Sequence, residues 1–547
     1  AAQAAAEEAA TTPGAGAAPR CGPETAGTAA FAVSAPLLSG PEASAKAEAC
    51  PPKRPESPAA ATFAATGGCC IERAEERAIR LQQLGLLLQH VHQHCGRPDW
   101  RGRGGEPLTP EAINLYHVVE LVVLPATQER RCSFVELLAE GPQPPAWFVS
   151  HWWGEPVADF VRCLQQHSRD RGLGPDTAYW VCAYANNQWN VRAEIGADPA
   201  NSSFRKAMRL ARGTVSVLDT GATCYTRIWC IFEIFISIGD THDDQPDYLF
   251  DVYTVGADAN RCGRGGGGAI GITDGYAAAD GDGKKRARRK RHREWNFPFE
   301  LAQRALQIQL QTAQASQEAD RRHILNAIAQ QDDLGAAPPD EHPCYEVLNA
   351  VLRGRFAAAS FVRAAELGGP LEAHGAALAA SGLRRLALHF GGGCLEALQD
   401  PAVELLGRSL PASLRHLFLG FGGCRKLTDA SLHAIAARLP AVASLTQLEL
   451  RCGGWTQVTD AGVAALAAGI GKLQALQRLE LEFTGCKHLT SAAAEALAAG
   501  LQPLAELQYL KVDLQGCLHV AKTGRAALER LPALARGGLG REPPGSE

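Results

Sequence analysis

The stretch AWFVSHWWGEPVADFVRCLQQHSRDRG, residues 146–172, decides the fold. Its first five residues are an apolar run short enough for a buried strand. The run breaks at HWWGEP, and helical spacing of apolar residues follows from Val157 until Gly172 stops it. The alternation continues downstream. AYWVCAYA (178–185) reads as a second strand ending in NNQWN. SSFRKAMRLARG (202–213) reads as a helix with Ser202 as cap and Gly213 as terminator. TVSVLD (214–219) is a third strand, TRIWCIFEIFISIG (226–239) a helix and DYLFDVYTV (247–255) a fourth strand. Continuous apolar strands joined by helices predict a parallel sheet covered on both faces, so 136–255 is read as an α/β domain.

The last third carries a repeat. LRRLAL, LRHLFL, LTQLEL, LQRLEL and LQYLKV begin at Leu383, Leu414, Leu445, Leu476 and Leu507, each 31 residues after the last. Cys424, Cys486 and Cys517 recur ten residues after their first leucine, and Trp455 takes that slot in the middle unit. LTDASLHAIAARL and VTDAGVAALAAGI supply a helix per unit. Residues 376–540 are therefore expected to stack as a leucine-rich-repeat solenoid of period 31. The leucines point inward, which puts Ala387, Phe418, Glu449, Glu480 and Lys511 in one concave column. His389, Gly420, Arg451, Glu482 and Asp513 form the next. Phe418, Glu449, Arg451, Glu480, Glu482, Lys511 and Asp513 are the expected partner surface, mixed in sign and leaning acidic. It fits a protein partner with a basic patch better than nucleic acid.

The rest is connective. Residues 1–66 are Ala, Pro, Gly, Ser and Glu with little else, and are expected to be disordered. Residues 67–135 are read as a helical lead-in. One helix is expected from about Glu72, and a second over TPEAINLYHVVELVVLPA with Pro110 near its first turn. Residues 256–298 read as a flexible loop. GRGGGG (263–268) has the spacing of a phosphate-binding turn but no strand before it, and KKRARRKRHR (284–293) is eight-tenths Lys and Arg. Residues 299–375 are a helical spacer that opens with one long helix over 299–330. Net charge is −4, so no global pull toward nucleic acid or membrane is expected, except through Lys284–Arg293. No run of eighteen apolar residues predicts a membrane span. Seventeen cysteines scattered through apolar patterns suit reduced thiols in a cytoplasmic protein, with the basic run leaving nuclear import open. HVHQHC (90–95) with Cys69 and Cys70 lacks a second ligand pair at standard spacing, so no metal is expected.

In a parallel sheet, ligands bind beyond the carboxyl ends of the strands. The polar outliers fall there. Ser150, His151, Trp152, Trp153, Gly154 and Glu155 follow the first strand, Asn186, Asn187 and Gln188 the second, and Asp219 the third. Arg227, Trp229, Cys230 and Glu233 open the helix after it, with Glu233 in an otherwise apolar segment. Such a carboxylate either serves a ligand or pairs with Arg227 or another base.

WFVSHWWGEPVADFVRCLQQHSRDRG resembles the opening of a Toll/interleukin-receptor (TIR) domain. SSFRKAMRLARGTVSVLDTGATCYTRIWCIFEI resembles the later TIR stretch whose helix opens with W-C-x-x-E. YWVCAYANNQ is similar to a stretch of fungal heterokaryon-incompatibility (HET) domains, which share that fold. The likeness covers about 110 residues and implies flavodoxin-like layering. It further implies that Glu233 is the residue required for cleaving the nicotinamide–ribose bond of NAD, which makes NAD a substrate, and no cofactor is expected. The residues named above would line its site, with the Trp152 and Trp153 indoles stacking on the bases. The alternative is a non-enzymatic scaffold in which this domain self-associates. No phosphate loop G-x-x-x-x-G-K-[S/T] occurs, so the chain departs from plant immune receptors, which place a nucleotide switch between TIR domain and repeats.

Overall fold

Strand residues here alternate between two buried faces rather than between core and water. In the computed structural model, which describes residues 58–63, 68–102, 104–196, 198–239, 248–256, 268–391 and 397–531, six strands form the first sheet. They are β1 (Ile79–Arg80), β2 (Trp147–His151), β3 (Ala178–Trp180), β4 (Gly213–Leu218), β5 (Leu249–Val255) and β6 (Ala269–Ile272), in the order β1-β3-β2-β4-β5-β6. The four central strands are parallel, and β1 and β6 are antiparallel edges. Trp147, Val149, Val215, Val217 and Tyr253 sink into one core with the helix Val157–Arg171. Phe148, Trp180, Phe250 and Val252 sink into the other, with the helices Ser203–Leu210 and Ile228–Ile234. The chain runs from β2 outward to β3 and then back across to β4, so the strand order reverses between β2 and β4.

The second sheet is wholly parallel: β7 (Arg385–His389), β8 (His416–Gly420), β9 (Gln447–Arg451), β10 (Arg478–Glu482) and β11 (Tyr509–Asp513), in chain order. Each strand is followed by a helix, the first Asp400–Ser409 and the last Lys522–Glu529. Leu448, Leu450, Leu479 and Leu481 are buried, whereas Glu449, Glu480 and Glu482 lie on the opposite strand face. The 31-residue period has a bonding cause. Trp455 Nε1 donates to Phe421 O (3.1 Å), Cys486 Sγ to Cys452 O (3.4 Å) and Cys517 Sγ to Phe483 O (3.1 Å). Each slot thus needs a donor that reaches the preceding unit, and indole and thiol both supply one. All described cysteines are free thiols. The chain is therefore mixed α/β with two parallel-rich sheets, and no described helix is long and apolar enough to cross a membrane.

Several expectations change. The disordered stretch 1–66 lies mostly outside the described residues, but Pro58–Phe63 is a helix whose Phe63 ring meets Phe134 at 5.2 Å. The first lead-in helix begins at Leu81, not near Glu72, because Ile79 and Arg80 pair with β3 as the edge strand β1. The second begins at Leu115, where Asn114 caps it, because Ile113 and Asn114 are held against the Pro156 turn. The run 178–185 is a strand only to Trp180; Cys182–Ala185 is a helical turn. Gly213 does not end the preceding helix. It opens β4, where a Cβ would come within 2.6 Å of Leu249 O and of the Trp147 ring. The helix expected over 299–330 is broken into Phe299–Ala305 and Glu318–Ile328.

The largest change concerns 256–298. Its glycine-rich part, apart from Gly268, lies outside the described residues. The remainder is not a loop, because β6 pairs with β5 and Arg286–Glu294 is a helix. Arg293 bonds Asp280 (3.0 Å) and Thr273, Lys290 bonds Thr273 O and pairs with Glu294, and Arg291 pairs with Glu366 and donates to Gly391 O. Deleting residues 268–294 is therefore expected to lower stability by more than about 2 kcal/mol. A urea midpoint equal to that of the intact chain would show the segment to be dispensable.

Candidate functional site

The reversal of strand order brings β2 and β4 side by side, with Ser150 opposite Ser216. Both are fully buried polar residues in apolar strands, and they face the helix Ile228–Ile234. Cys224, on the turn after β4, sits between them, with Sγ 3.6 Å from Ser150 Oγ and 3.8 Å from Ser216 Oγ. Cys230, in the first turn of the helix, donates to His151 O (3.6 Å) and shares a hydrogen bond with Cys224. One turn further, the Glu233 carboxyl meets the Ser150 hydroxyl. Its Oε2 has no hydrogen-bond partner, and the residue is 4% exposed. Burial pushes this carboxyl well above the usual carboxylate range, against the Ser150 hydrogen bond.

Glu155 approaches the same cluster from the turn after β2. It too is 4% exposed with an unpartnered Oε2. Its pKa is raised by burial first, then by the charges of Asp219 and Asp159. His151 follows Ser150 and therefore faces the other side of the sheet, against the Phe160 ring (4.7 Å). Burial lowers its pKa to about 4 and its Nε2 is unpartnered. Buried polar atoms without partners are costly, and Glu233 Oε2 and Glu155 Oε2 lie together near Cys224.

The remaining expected residues separate from this cluster. Glu233 makes no ion pair among the described residues, so the pairing with Arg227 is not found; Arg227 Nη2 reaches Ser316 Oγ (3.4 Å). Trp229 points away from Glu233, donating to Asp320 (3.1 Å) and stacking on Phe204 (5.4 Å). Trp153 donates to Cys182 Sγ (3.2 Å) and packs on Tyr116, while the Trp152 ring lies over Gly154. Asn186 accepts from Ser203, Asn187 donates to Arg131 O and Gln188 bonds three carbonyls of its own turn. Asp219 binds the backbone and hydroxyl of Thr223. These amides and Asp219 shape turns. Sequence reasoning missed Ser216, Cys224 and Cys182; a hydroxyl inside the apolar run TVSVL was the available signal.

On the repeat sheet, the expected partner residues lie on the outward strand face, with charges largely matched internally. Arg451 pairs with Glu449 and lies 3.8 Å from Glu482, Arg478 bonds Glu480 (2.6 Å), and Lys511 lies 3.8 Å from Glu480. Phe418 is covered, with the Arg451 guanidinium 5.3 Å from its ring centre. Comparison with protein-family models and with curated protein sequences gives no match for this chain.

The raised pKa of the buried Glu233 sets a pH signature. Its proton is held in the folded state and lost from the unfolded chain above the ordinary carboxylate range. Its contribution is thus fully present below that range and fades as pH rises through the raised folded value. Glu233→Gln keeps the shape without the ionisation. The variant is expected to be more stable than wild type at pH 8 by on the order of 1 kcal/mol, with the gap closing toward pH 4.5. Parallel Tm profiles of the two proteins against pH would sink this reading of the site.

Proposed function

We propose that the chain is a signalling and recognition protein whose TIR/HET-like domain hydrolyses NAD at the nicotinamide–ribose bond. Its C-terminal units, read as a leucine-rich-repeat solenoid, bind a protein partner on their outward, concave face. The observation that carries the reading is the Glu233 carboxyl, which has an unpartnered oxygen beside Ser150 at the point where strand order reverses. Cleavage breaks the bond between ribose C1′ and the nicotinamide nitrogen. Nicotinamide leaves neutral with the electron pair, water adds to C1′, and one proton is released. Positive charge develops on the ribose in between, and a fixed carboxylate in a dry site stabilises it. Glu233 serves this role only when ionised. Movement of the 152–155 turn that admits substrate must therefore also let it lose its proton, with the Ser150 hydroxyl favouring the ionised form.

A second reading is supported by the closed packing. Glu233 is sealed, and Trp153 and Trp229 are already engaged by Cys182, Tyr116, Phe204 and Asp320. In that reading the domain is a scaffold that self-associates. Incubating the full chain with NAD and measuring nicotinamide separates the two. The hydrolase reading expects turnover that rises with pH as Glu233 ionises and falls at least about 100-fold in Glu233→Gln with circular dichroism unchanged. Wild type that releases no nicotinamide supports the scaffold; unchanged turnover in the variant removes Glu233 from the mechanism.

A further inference from the structure

The basic run plays no part in NAD hydrolysis; its helix lies over the first end of the repeat face, with Arg286 near Glu449 and Arg288 and Arg291 near His389. The structure divides its cations into two sets. Lys290, Arg291 and Arg293 are spent inward on Glu294, Glu366, Asp280 and backbone carbonyls. Ala287 is buried against the fold on the same side. Arg286 is exposed but stacks over the Tyr276 ring (4.4 Å); Lys285, Arg288, Arg289 and His292 are also exposed, with Arg289 keeping one bond to Asp280 O (3.2 Å). The latter four positions are separated by three or four residues, so they form one stripe along the helix, about 10 Å from first to last. The inward set fixes the helix, so this stripe is rigid before any ligand arrives. A ligand then does not have to order it.

We propose that this stripe is a binding site for the phosphate backbone of single-stranded nucleic acid. Repeated cations at one-turn spacing suit a repeating anion better than a single phosphate. The helix cannot enter the major groove of a duplex, because a groove about 12 Å wide takes a whole helix and this one has its inner face packed on protein. A lipid surface fits poorly too, since the exposed stripe carries no apolar residue to insert. The helix packs against β7 at its His389 end, and Arg384, Arg385 and Arg415 are exposed at the opposite end of the first two repeat strands. The charges of Arg385 and Arg415 add to burial in lowering the pKa of His416. Along the sheet, Glu449 lies nearest the helix, beside Arg286, and Glu480, Glu482 and Asp513 continue an acidic strip that disfavours phosphate.

The test titrates the full chain into a labelled single-stranded oligonucleotide of about 20 nucleotides by fluorescence anisotropy, between about 50 and 200 mM salt. Binding is expected with a slope of log K against log salt near about −2, as for three phosphates neutralised on a single strand. The triple variant Lys285→Glu, Arg288→Glu, Arg289→Glu is expected to bind at least about tenfold more weakly with an unchanged circular dichroism spectrum. The control Arg425→Glu, Lys426→Glu, at another exposed turn, is expected to bind as wild type. Three results would overturn the proposal. They are no wild-type binding at the lower salt, equal weakening by the control pair, and tighter binding to phosphatidylserine vesicles lost in the triple variant. If the triple variant does not fold, Arg288→Ala with Arg289→Ala is read against the same thresholds.

Discussion

One buried carboxylate ties the first sheet to what covers it. Asp251, fully buried on β5, takes two hydrogen bonds from Arg171 (2.8 and 2.6 Å) and one from Asp274 N (2.8 Å), with His167 Nε2 at 3.3 Å. Burial alone would raise its pKa. The close approach of His167 and the Arg171 charge instead hold it well below the usual range, so it is an anion inside the core. Removing one partner would leave an unpaired buried charge, which is far costlier than losing a surface pair. Arg171 ends the helix Val157–Arg171 and also donates to Asp274 O and Tyr276 O. The same cluster thereby orients the helix after β2 and anchors the segment leading to the basic helix. The turn 151–156 that carries Glu155 is set at its far end by this anchor.

That anchored frame explains how the sheet edge can hold unsatisfied groups. Glu233, Glu155 and His151 each forgo a hydrogen bond, and none could persist in a loosely packed setting. On the Glu233 side of the sheet, Phe148 stacks on Trp180 and Phe204 meets Trp180 edge to face. On the other side His167, Trp147 and Tyr253 pack edge to face. The surrounding core holds the polar cluster in a closed form, in which burial raises the pKa of both carboxyls.

Much of this was legible because it rests on local pattern. The apolar runs 146–150, 214–219 and 247–255 announced β2, β4 and β5, and the 31-residue spacing located β7 to β11. The Cys-to-Trp exchange at Trp455 needed the structure, since only the carbonyl of Phe421 explains why both residues serve. The edges were not legible. β1 has two residues and β6 four, too few for alternation to stand out, and both exist because a neighbouring strand offers free backbone groups. The basic helix was misread for a similar reason. Eight Lys and Arg in ten residues looked solvated, and its partners Asp280, Glu366 and Gly391 lie 9 to 100 residues away. For the site, Glu233 and Ser150 could be named from strand-end logic. Trp229 and Glu233 do share a helix face at four-residue spacing, but the long indole side chain reaches Asp320 and Phe204 instead, which spacing alone does not decide.

The repeat units are coupled through their helix starts as well as their strands. Asp400 binds both the N–H and hydroxyl of Thr428, Asp429 those of Thr459, and Asp460 those of Thr490. At the next seam both groups change: Ser491 Oγ accepts a single bond from Ala521 N (3.0 Å). The array is thus a chain of double latches closed by one single latch. Mechanically this gives it a direction. Under tension along the stack the 491–521 seam is expected to part before the others, and a force ramp would read it as the first and smallest step. A load arriving from the C-terminal side would then be shed by one unit while the rest of the stack, and the sheet it leans on, keep their register.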